Sequence, residues 1–384
     1  MTKPELEKKF QERFNKKPEH IFFCPGRVNL IGEHIDYNGG KVMPCAISLG
    51  TYLAVSKNTD KNLRFESLDF NESAEFHLQS SYSKTGKDWF NYPLGVINYL
   101  LENGHTISGM DMLFAGDLPV GAGLSSSASI EVLTAFAINS LFQLNISRTD
   151  IALLGKKVEN EFIGVNSGIM DQFAVANGKK NKAILLDCDT LEYEYLPLET
   201  GEYILAIINS NKQRTLADSK YNERFAECGA ALKLLKKELE VTHLCDIDIE
   251  TFTAHRHLIK DPVLEKRALH VISENERVKK AKLALTSGDL KKFGELMYAS
   301  HESLKDLYEV SGKELDTIVE FSKTHKDCIG ARMTGAGFGG CAIALARKDS
   351  FEDFSSGLAK YYQEKTGKKC DVFASEIGEG VMEI

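Results

Sequence analysis

Two short polar segments of this sequence carry residue types that could do chemistry. The first, residues 26–40, gathers Arg27, Glu33, His34 and Asp36 among glycines and an asparagine amide. A run of charges in a loop is most often simply solvated. Carboxylates, an imidazole and an amide together are nevertheless the mixture that pairs with the donor and acceptor hydroxyls of a sugar. The segment is therefore a candidate sugar site, although His34 taken alone would more often be structural.

The second segment, residues 119–129, reads PVGAGLSSSAS. Its glycines let backbone N–H groups approach an anion, and a helix that begins directly afterwards adds a partial positive charge. The consecutive serines offer hydroxyls to phosphate oxygens or to Mg²⁺. The lysine of a Walker A loop is missing. The pattern predicts a phosphate-binding loop, and the alternative is an ordinary loop whose serine caps the helix.

Two further carboxylates follow along the chain. Asp171 lies in Gly168–Phe173, near the start of a predicted helix, where the ionised form of a carboxylate is stabilised. The alternative is a plain helix-capping aspartate. Glu159, one helix earlier, is either a surface charge or a metal ligand, and its spacing does not decide between them.

Residues 335–340 read GAGFGG and satisfy the G-x-G-x-x-G pattern of dinucleotide-binding proteins. That pattern requires a helix directly afterwards. Residues 341–346 instead form a strand pattern near the end of the sequence, which excludes a nicotinamide site. We interpret the segment as a glycine turn that can lie close to a ligand, and the alternative is a tight turn between strands.

The periodicity of apolar residues predicts the elements that hold these segments. The predicted helices cover residues 4–15, 88–103, 125–142, 151–162, 169–176, 218–240 and much of 262–325. The predicted strands cover residues 21–24, 42–58, 62–78, 111–115, 183–187, 203–208, 328–333, 341–346 and 370–376. Residues 25–40 are expected to form a loop. The order of elements favours an α+β fold, and a length of 384 residues favours two domains, 1–200 and 201–384.

Composition limits the class of function. Asp and Glu number 55 against 47 Lys and Arg, so the chain has no electrostatic reason to bind nucleic acid or an anionic membrane. The first residues lack the apolar stretch of a signal peptide. The eight cysteines show neither disulfide nor zinc spacing. These features predict a cytoplasmic protein.

Together these segments resemble the galactokinase branch of the GHMP small-molecule kinases. Residues 26–40 are similar to its sugar signature, 119–129 to its ATP loop and 333–341 to its third motif, while 267–278 and 301–311 resemble stretches specific to that branch. The resemblance implies a ribosomal-protein-S5-like N-terminal domain, a ferredoxin-like C-terminal domain and an active site between them. It also implies transfer of the γ-phosphoryl group of MgATP to the C1 hydroxyl of galactose, which yields galactose 1-phosphate and ADP and begins the Leloir pathway.

The resemblance assigns roles residue by residue. It implies Asp171 and Arg27 as the catalytic pair. The residues implied to contact galactose are Glu33, His34, Asp36, Gly168, Asp171 and Tyr221. The residues implied to bind ATP are Trp89, Tyr92, Gly121, Ala122, Gly123, Leu124, Ser125, Ser126, Ser127 and Gly337. Ser127 and Glu159 are implied to hold Mg²⁺. We expect galactose and ATP as partners, neither nucleic acid nor membrane, and a monomer.

The chain departs from the branch's pattern at three places. Ile35 stands where the signature usually has Thr, Ser167 where many members have Cys, and Gly312-Lys313 where many have Cys-Pro. None of these changes removes a charged or ligating group, but Ile35 could alter the packing of the sugar loop. The alternatives are an N-acetylgalactosamine kinase and a non-catalytic sensor of galactose and ATP. The complete serine run favours the enzyme over the sensor.

Overall fold

A computed structural model describes residues 1–119, 123–165, 167–212 and 217–384. Its strands are β1 (His20–Asn29), β2 (Lys41–Val42), β3 (Pro44–Lys57), β4 (Asn62–Ser67), β5 (Ala74–His77), β6 (Met110–Gly116), β7 (Lys182–Asp187), β8 (Tyr193–Pro197), β9 (Tyr203–Asn209), β10 (Cys328–Met333), β11 (Cys341–Arg347), β12 (Asp371–Ser375) and β13 (Met382–Glu383). Its helices are α1 (Lys3–Phe14), α2 (Asn91–Glu102), α3 (Ser126–Phe142), α4 (Arg148–Lys157), α5 (Met170–Asn177), α6 (Ala217–Leu235), α7 (Ile249–His255), α8 (Pro262–Thr286), α9 (Leu290–Ser303), α10 (Lys313–Thr324) and α11 (Phe351–Thr366).

The strands of the described residues form three sheets. The largest has the order β13-β1-β3-β6-β4-β5, a second has the order β10-β11-β9-β12, and β2-β7-β8 form a small third sheet. All pairs are antiparallel except β4 with β6. Helices and strands are grouped rather than strictly alternating, which confirms the expected α+β class. The division at residue 200 stays a prediction, and β13 returns from the end of the sequence to pair with β1.

Helix α3 is the central support of the phosphate-binding segment. Its residues are small or apolar on every side, which is the pattern of a helix buried all round. It packs against α2, α4, α5 and the strands β1 and β3. Its first residue, Ser126, directly follows the glycine–serine loop. The buried helix thus fixes where the loop ends.

Strand β1 differs from the expectation. Residues 25–29 were expected to begin a loop, but they continue the strand, with an irregularity in its pairing to β3 between Pro25 and Arg27. A side chain on Gly26 would lie 2.7 Å from the backbone oxygen of Leu124, so only glycine allows β1 to approach the phosphate-binding loop this closely. Arg27 and Asn29 are therefore carried on a buried strand, whereas Glu33, His34 and Asp36 follow it in the expected loop.

Four elements were not predicted: β8, α7, α11 and β13. The helix expected over residues 151–162 begins at Arg148, and its end, Val158–Ile163, is a π-helical turn. The long helical region 262–325 is divided into α8, α9 and α10. In the described part of the chain, no helix combines the length and the apolar composition that crossing a bilayer requires.

Candidate active site

A cleft of about 610 Å³ opens where the loop after β1, the start of α3, the start of α5 and the turn after β10 meet. Eleven of the residues implied by sequence line this cleft: Arg27, Glu33, His34, Asp36, Gly123, Ser125, Ser126, Ser127, Gly168, Asp171 and Tyr221. Gly335 and Ala336 of the glycine turn also line it. Gly121 and Ala122 lie outside the described residues. The structure therefore brings the sugar loop and the serine end of α3 to one cavity.

Arg27 and Asp171 form a two-pronged ion pair in this cleft. Arg27 Nε donates to Asp171 Oδ1 at 2.7 Å, and Nη2 donates to Oδ2 at 2.5 Å. The remaining nitrogen, Nη1, donates to the backbone oxygen of Gly123 at 2.8 Å. Arg27 is buried, whereas the Asp171 side chain keeps 30% of its surface exposed. The buried arginine therefore fixes both oxygens of a carboxylate that still faces the cavity.

The serine loop reaches the same carboxylate. Ser125 has φ 63°, a left-handed conformation unusual for serine, and its hydroxyl donates to Asp171 Oδ2 at 2.6 Å. Leu124 is buried, and its backbone oxygen accepts the N–H of Arg27 at 3.2 Å. Both contacts tie the loop to β1 and α5, and they leave the N-terminal end of α3 directed at the cleft. Unpaired N–H groups at such a helix end favour an anion.

Glu159 lies behind Ser127 and is surrounded by neutral donors. Its Oε1 accepts the Ser127 hydroxyl at 2.9 Å. Its Oε2 accepts the Ser167 hydroxyl and the Gln172 amide, each at 2.7 Å. The π-helical turn Val158–Ile163 carries Glu159 into this position, where it is only 9% exposed. Within residues 1–119, 123–165, 167–212 and 217–384, no lysine, arginine or histidine forms an ion pair with Glu159.

A second acid, Glu131, is fully buried on α3 beside Glu159. The amide of Gln172 donates to Glu131 Oε2 at 3.1 Å as well as to Glu159. Burial first, and the charge of Glu159 second, raise the pKa of Glu131 well above its ordinary value. The protonated form of Glu131 is therefore favoured beside the Glu159 carboxylate.

The donor set around Glu159 suits a small hard cation. Mg²⁺ prefers oxygen ligands and is usually held by one or two protein oxygens together with phosphates and water. The Ser127 hydroxyl and the Glu159 carboxylate are adjacent oxygens, and no cationic side chain of the described residues pairs with the carboxylate. Among the described residues, no three His, Cys, Asp or Glu side chains form a metal-binding group. The residues thus fit a cation that arrives with phosphate oxygens.

Glu33 and Asp36 bring further carboxyl groups to the other end of the cleft. Glu33 Oε1 accepts the N–H of Gly335 at 2.6 Å, and the fully buried Arg332 lies 3.4 Å from the same oxygen. Burial, and then the charges of Glu33 and Asp171, raise the pKa of Asp36 to about 6. A side chain on Gly168 would stand 3.3 Å from Asp36 Oδ2, so the glycine leaves room beside this carboxyl group.

Two aromatic residues border these carboxyl groups. His34 has φ 62°, and burial lowers its pKa to about 4, so the ring is neutral near neutral pH. The Tyr221 ring lies 5.5 Å from the His34 ring and 5.3 Å from the Tyr37 ring. Burial raises the pKa of Tyr221, so its hydroxyl stays protonated. This end of the cleft presents neutral rings, a hydroxyl and carboxyl groups, the mixture that a polyhydroxyl ligand requires.

Four of the described residues implied to bind ATP lie outside this lining: the buried Leu124 already mentioned, Trp89, Tyr92 and Gly337. Trp89 is 8% exposed, its Nε1 donates to the backbone oxygen of Glu72 at 2.9 Å, and its ring lies 5.2 Å from Phe114. Tyr92 is half-buried on α2, and burial raises its pKa. Gly337 has φ 81° and packs against the backbone oxygen of Val310, which any side chain there would approach within 2.2 Å. The neighbours Gly335 and Ala336 reach the cleft instead.

Several residues in or behind the site were given no role in it from the sequence: Glu131, Ser167, Gln172, Glu274 and Arg332. Glu131 offered a signal, because it is a charged residue within an otherwise small and apolar helix. Glu274 Oε1 accepts the N–H of Gly32 at 2.9 Å, so α8 holds the sugar loop from behind. Its pKa is lowered to about 2, because the charges of Arg277, His270 and Arg332 outweigh burial.

Comparison with known proteins gives consistent similarities. Residues 8–57 match the model of the galactokinase galactose-binding signature, residues 91–179 the GHMP kinases N-terminal domain, and residues 281–364 the GHMP kinases C-terminal domain. The chain is 52% identical to a galactokinase of Enterococcus faecalis over 99% of each chain. It is 50% identical to a galactokinase of Staphylococcus carnosus over 98% of each chain.

Solved structures give the same result. A crystal structure of Lactococcus lactis galactokinase complexed with galactose superposes with a TM-score of 0.93, at 46% identity over 99% of each chain. A mevalonate kinase of Methanococcus jannaschii has a TM-score of 0.69 at 21% identity, covering 94% of this chain and 99% of its own, and this more distant likeness concerns the fold alone.

Proposed function

The chain belongs to the galactokinase family of the GHMP kinases, and from this we propose that it transfers the γ-phosphoryl group of ATP to the C1 hydroxyl of galactose. Its fold is the GHMP kinase fold expected from the sequence, and it is an enzyme of the galactokinase type that uses ATP. The observation that carries the proposed chemistry is the Asp171 carboxylate, which is held by Arg27 and Ser125 at the cleft.

Asp171 accepts the proton of the sugar hydroxyl in this proposal. Its Oδ2 already accepts two hydrogen bonds, from Arg27 and Ser125, whereas Oδ1 accepts one. A carboxylate oxygen can accept two hydrogen bonds, so Oδ1 keeps a position for the C1 hydroxyl. The sugar oxygen then bonds to the γ-phosphorus as the bond to the ADP oxygen breaks. Since such transition states are often loose, Asp171 can contribute by orientation and charge as well as by proton transfer.

Arg27 supplies positive charge on the same side of the cleft. Its guanidinium holds Asp171 and also reaches the backbone of Gly123, next to the loop proposed to carry the phosphates. The backbone of residues 121–127 and the serine hydroxyls would bind the phosphate oxygens. Ser127 and Glu159 would hold Mg²⁺, which when bound neutralises charge on the β- and γ-phosphate oxygens. Trp89, Tyr92 and Gly337 are proposed to border the nucleotide.

The sugar side of the cleft is proposed to bind galactose through six residues: Glu33, His34, Asp36, Gly168, Asp171 and Tyr221. The cleft then lies between the proposed domains 1–200 and 201–384. Ile35 is buried in the core beneath the sugar loop and does not line the cleft. Its replacement of the usual Thr therefore does not alter the groups offered to the sugar. We further propose a monomeric, cytoplasmic enzyme.

Phosphate transfer from γ-labelled ATP tests this function directly. The purified chain should label galactose in the presence of Mg²⁺, and it should leave glucose and mevalonate unlabelled. N-acetylgalactosamine labelled faster than galactose would replace the proposed substrate. No labelled sugar, together with measurable galactose binding, would indicate a sensor rather than an enzyme.

A further inference from the structure

Both ring nitrogens of His34 have partners whose chemistry fixes the position of the ring proton. Nε2 lies 3.2 Å from the backbone oxygen of Ala336. A carbonyl oxygen can only accept, so Nε2 must carry the proton and donate. A neutral imidazole has one N–H, and burial keeps the ring neutral by lowering its pKa to about 4. Nδ1 must therefore be an acceptor.

The acceptor nitrogen defines a hydrogen-bond chain that runs in one direction. Tyr37 lies 3.0 Å from His34 Nδ1, so its hydroxyl donates to the ring. Its oxygen then accepts from the Tyr308 hydroxyl, 2.8 Å away. The Tyr308 oxygen lies 3.1 Å from Cys228 Sγ and accepts the thiol proton in turn. Burial raises the pKa of both tyrosines, and that of Cys228 to about 11, so each keeps its proton.

The far end of this chain is fixed by packing. Tyr308 is fully buried, and the ring centroid of His270 lies 4.4 Å from that of Tyr308, with the two rings tilted by 37°. His270 is held between the Ser303 hydroxyl at 2.8 Å and the backbone oxygen of Glu33 at 3.3 Å. His270 and Tyr308 lie in residues 267–278 and 301–311, the two stretches that resemble branch-specific segments. The resemblance assigned neither stretch a role in the sugar or nucleotide site. In the structure, both residues support the sugar loop from the C-terminal half.

We propose that Tyr37 and Tyr308 are positioning residues that hold His34 as a fixed N–H donor at Nε2, which binds a hydroxyl oxygen of the sugar in exchange for the Ala336 carbonyl. This inference rests on the proposed function, because the ligand in the cleft is taken to be galactose. His34 lines the cleft, so a bound hydroxyl can replace the carbonyl. The His34 Nε2 proton then selects a sugar group whose oxygen accepts a hydrogen bond. A deoxy sugar with hydrogen in place of that hydroxyl loses this hydrogen bond. An amino sugar with an ammonium group there is rejected more strongly, because an ammonium group only donates.

The protonated nitrogen can be observed without any turnover. In enzyme labelled with ¹⁵N-histidine, the His34 signals are those that disappear in the His34→Asn variant. Near neutral pH we expect a proton-bearing Nε2 and an acceptor-type, strongly downfield Nδ1. A proton on Nδ1, or on both nitrogens, would overturn the inference. Either result stands whether or not the protein phosphorylates galactose, so it separates this inference from the proposed function.

Kinetics of tyrosine variants test the positioning role. Tyr37→Phe should raise the galactose KM about tenfold, the cost of one buried hydrogen bond, and leave the ATP KM within about twofold. Tyr308→Phe keeps the Tyr37 donor and should raise the galactose KM only about threefold. Tyr298→Phe is the matched control, because its hydroxyl donates to the Ser322 backbone oxygen at 3.0 Å, away from the sugar loop. It should change neither KM.

Deoxygenated galactoses sharpen this test. The wild type should discriminate against one monodeoxy galactose through His34, and Tyr37→Phe should reduce that discrimination while leaving the other monodeoxy sugars unaffected. Discrimination that is equal in the two proteins, or a rise of both KM values together, would assign Tyr37 a purely structural role and overturn the proposal. If Tyr37→Phe does not fold, Tyr308→Phe and the wild-type ¹⁵N spectrum still decide it.

Discussion

Two acidic centres, Asp171 in the cleft and Glu159 behind Ser127, are built in opposite ways. Asp171 is paired with a full cation, because Arg27 donates to both of its oxygens. Glu159 is surrounded by Ser127, Ser167 and Gln172, which donate hydrogen bonds but carry no charge. Among the described residues, the first carboxylate is therefore paired with a cation and the second is not. The Glu159 centre is where an added cation gains most.

The neighbouring acid strengthens this contrast. Glu131 shares the Gln172 amide with Glu159, and its pKa is raised well above the ordinary value by burial and by the charge of Glu159. The environment thus disfavours a negative charge on Glu131 and supplies no cation among the described residues to neutralise Glu159. The Asp171 centre is arranged for chemistry on the sugar hydroxyl, and the Glu159 centre for holding a cation that comes with the nucleotide.

The largest expected effect is at the Asp171 centre. Asp171→Ala should lower the galactose phosphorylation rate at least about 100-fold, because it removes the proton acceptor and leaves the buried Arg27 without its partner. The rate should be measured on protein whose folding is verified by circular dichroism. Asp171→Asn keeps the shape without the charge and separates orientation from charge. The exposed Asp306 supplies the control Asp306→Ala, and a loss smaller than about tenfold for Asp171→Ala would remove it from the centre of the mechanism.

The second prediction concerns the Glu159 centre. Glu159→Ala should weaken the apparent Mg²⁺ affinity at least about tenfold, because the only charged ligand proposed for the cation is lost. Titration of Mg²⁺ at fixed ATP, followed by turnover and by calorimetric binding of MgATP, measures this change. Glu161→Ala is the control, since Glu161 lies in the same π-helical turn with 60% of its side chain exposed. Identical titrations for wild type and Glu159→Ala would assign the cation elsewhere.

The sequence revealed one of these centres better than the other. Residues 26–40 were visible because they concentrate polar groups among glycines, whereas the role of Asp171 beside Arg27 followed only from the family resemblance; the structure brings the two side chains together. Glu159 could not be distinguished from a surface charge, since its burial depends on the π-helical turn and on Gln172 from α5. Contacts between helices are not encoded in the spacing of a single helix. The hydrogen bond from Gln172 on α5 to Glu131 on α3 also joins two helices, so the spacing within either helix did not predict it.

The fold was predictable to a similar degree. Strands β10, β11 and β12 and helix α3 lie within two residues of their predicted bounds, because small and apolar residues dominate each of them. The second half of β1 was mistaken for a loop, since Arg27 faces the cleft and Asn29 is fully buried, so neither polar side chain faces solvent. Prediction of secondary structure from the pattern of polar and apolar residues assumes that polar residues are exposed. That assumption fails for residues that line a functional cleft.

The third prediction addresses the suppressed charge of Glu131. A folded-state pKa above the unfolded value means that the folded protein binds the proton more tightly, so stability is lost as pH rises above the unfolded pKa near 4.5. Glu131→Gln removes this loss. The free energy of unfolding of Glu131→Gln, minus that of wild type, should therefore rise from about pH 5 to about pH 7. The expected rise is at most about 1.4 kcal/mol per pH unit. Urea unfolding at the two pH values measures this difference, and parallel stabilities would show that Glu131 is ionised in the folded protein.

The smallest expected effect comes from the residue at which this chain departs from many members of its family. Ser167→Cys replaces a hydroxyl that donates to Glu159 Oε2 at 2.7 Å with a weaker and longer thiol donor. Gln172 still donates to the same oxygen, so the apparent Mg²⁺ affinity should change by no more than about threefold. The galactose KM, measured in the same experiment, should stay constant, because Asp171 is held by Arg27 and Ser125. A larger change in the galactose KM than in the Mg²⁺ affinity would mean that the two acidic centres are coupled through the 167–171 segment rather than independent.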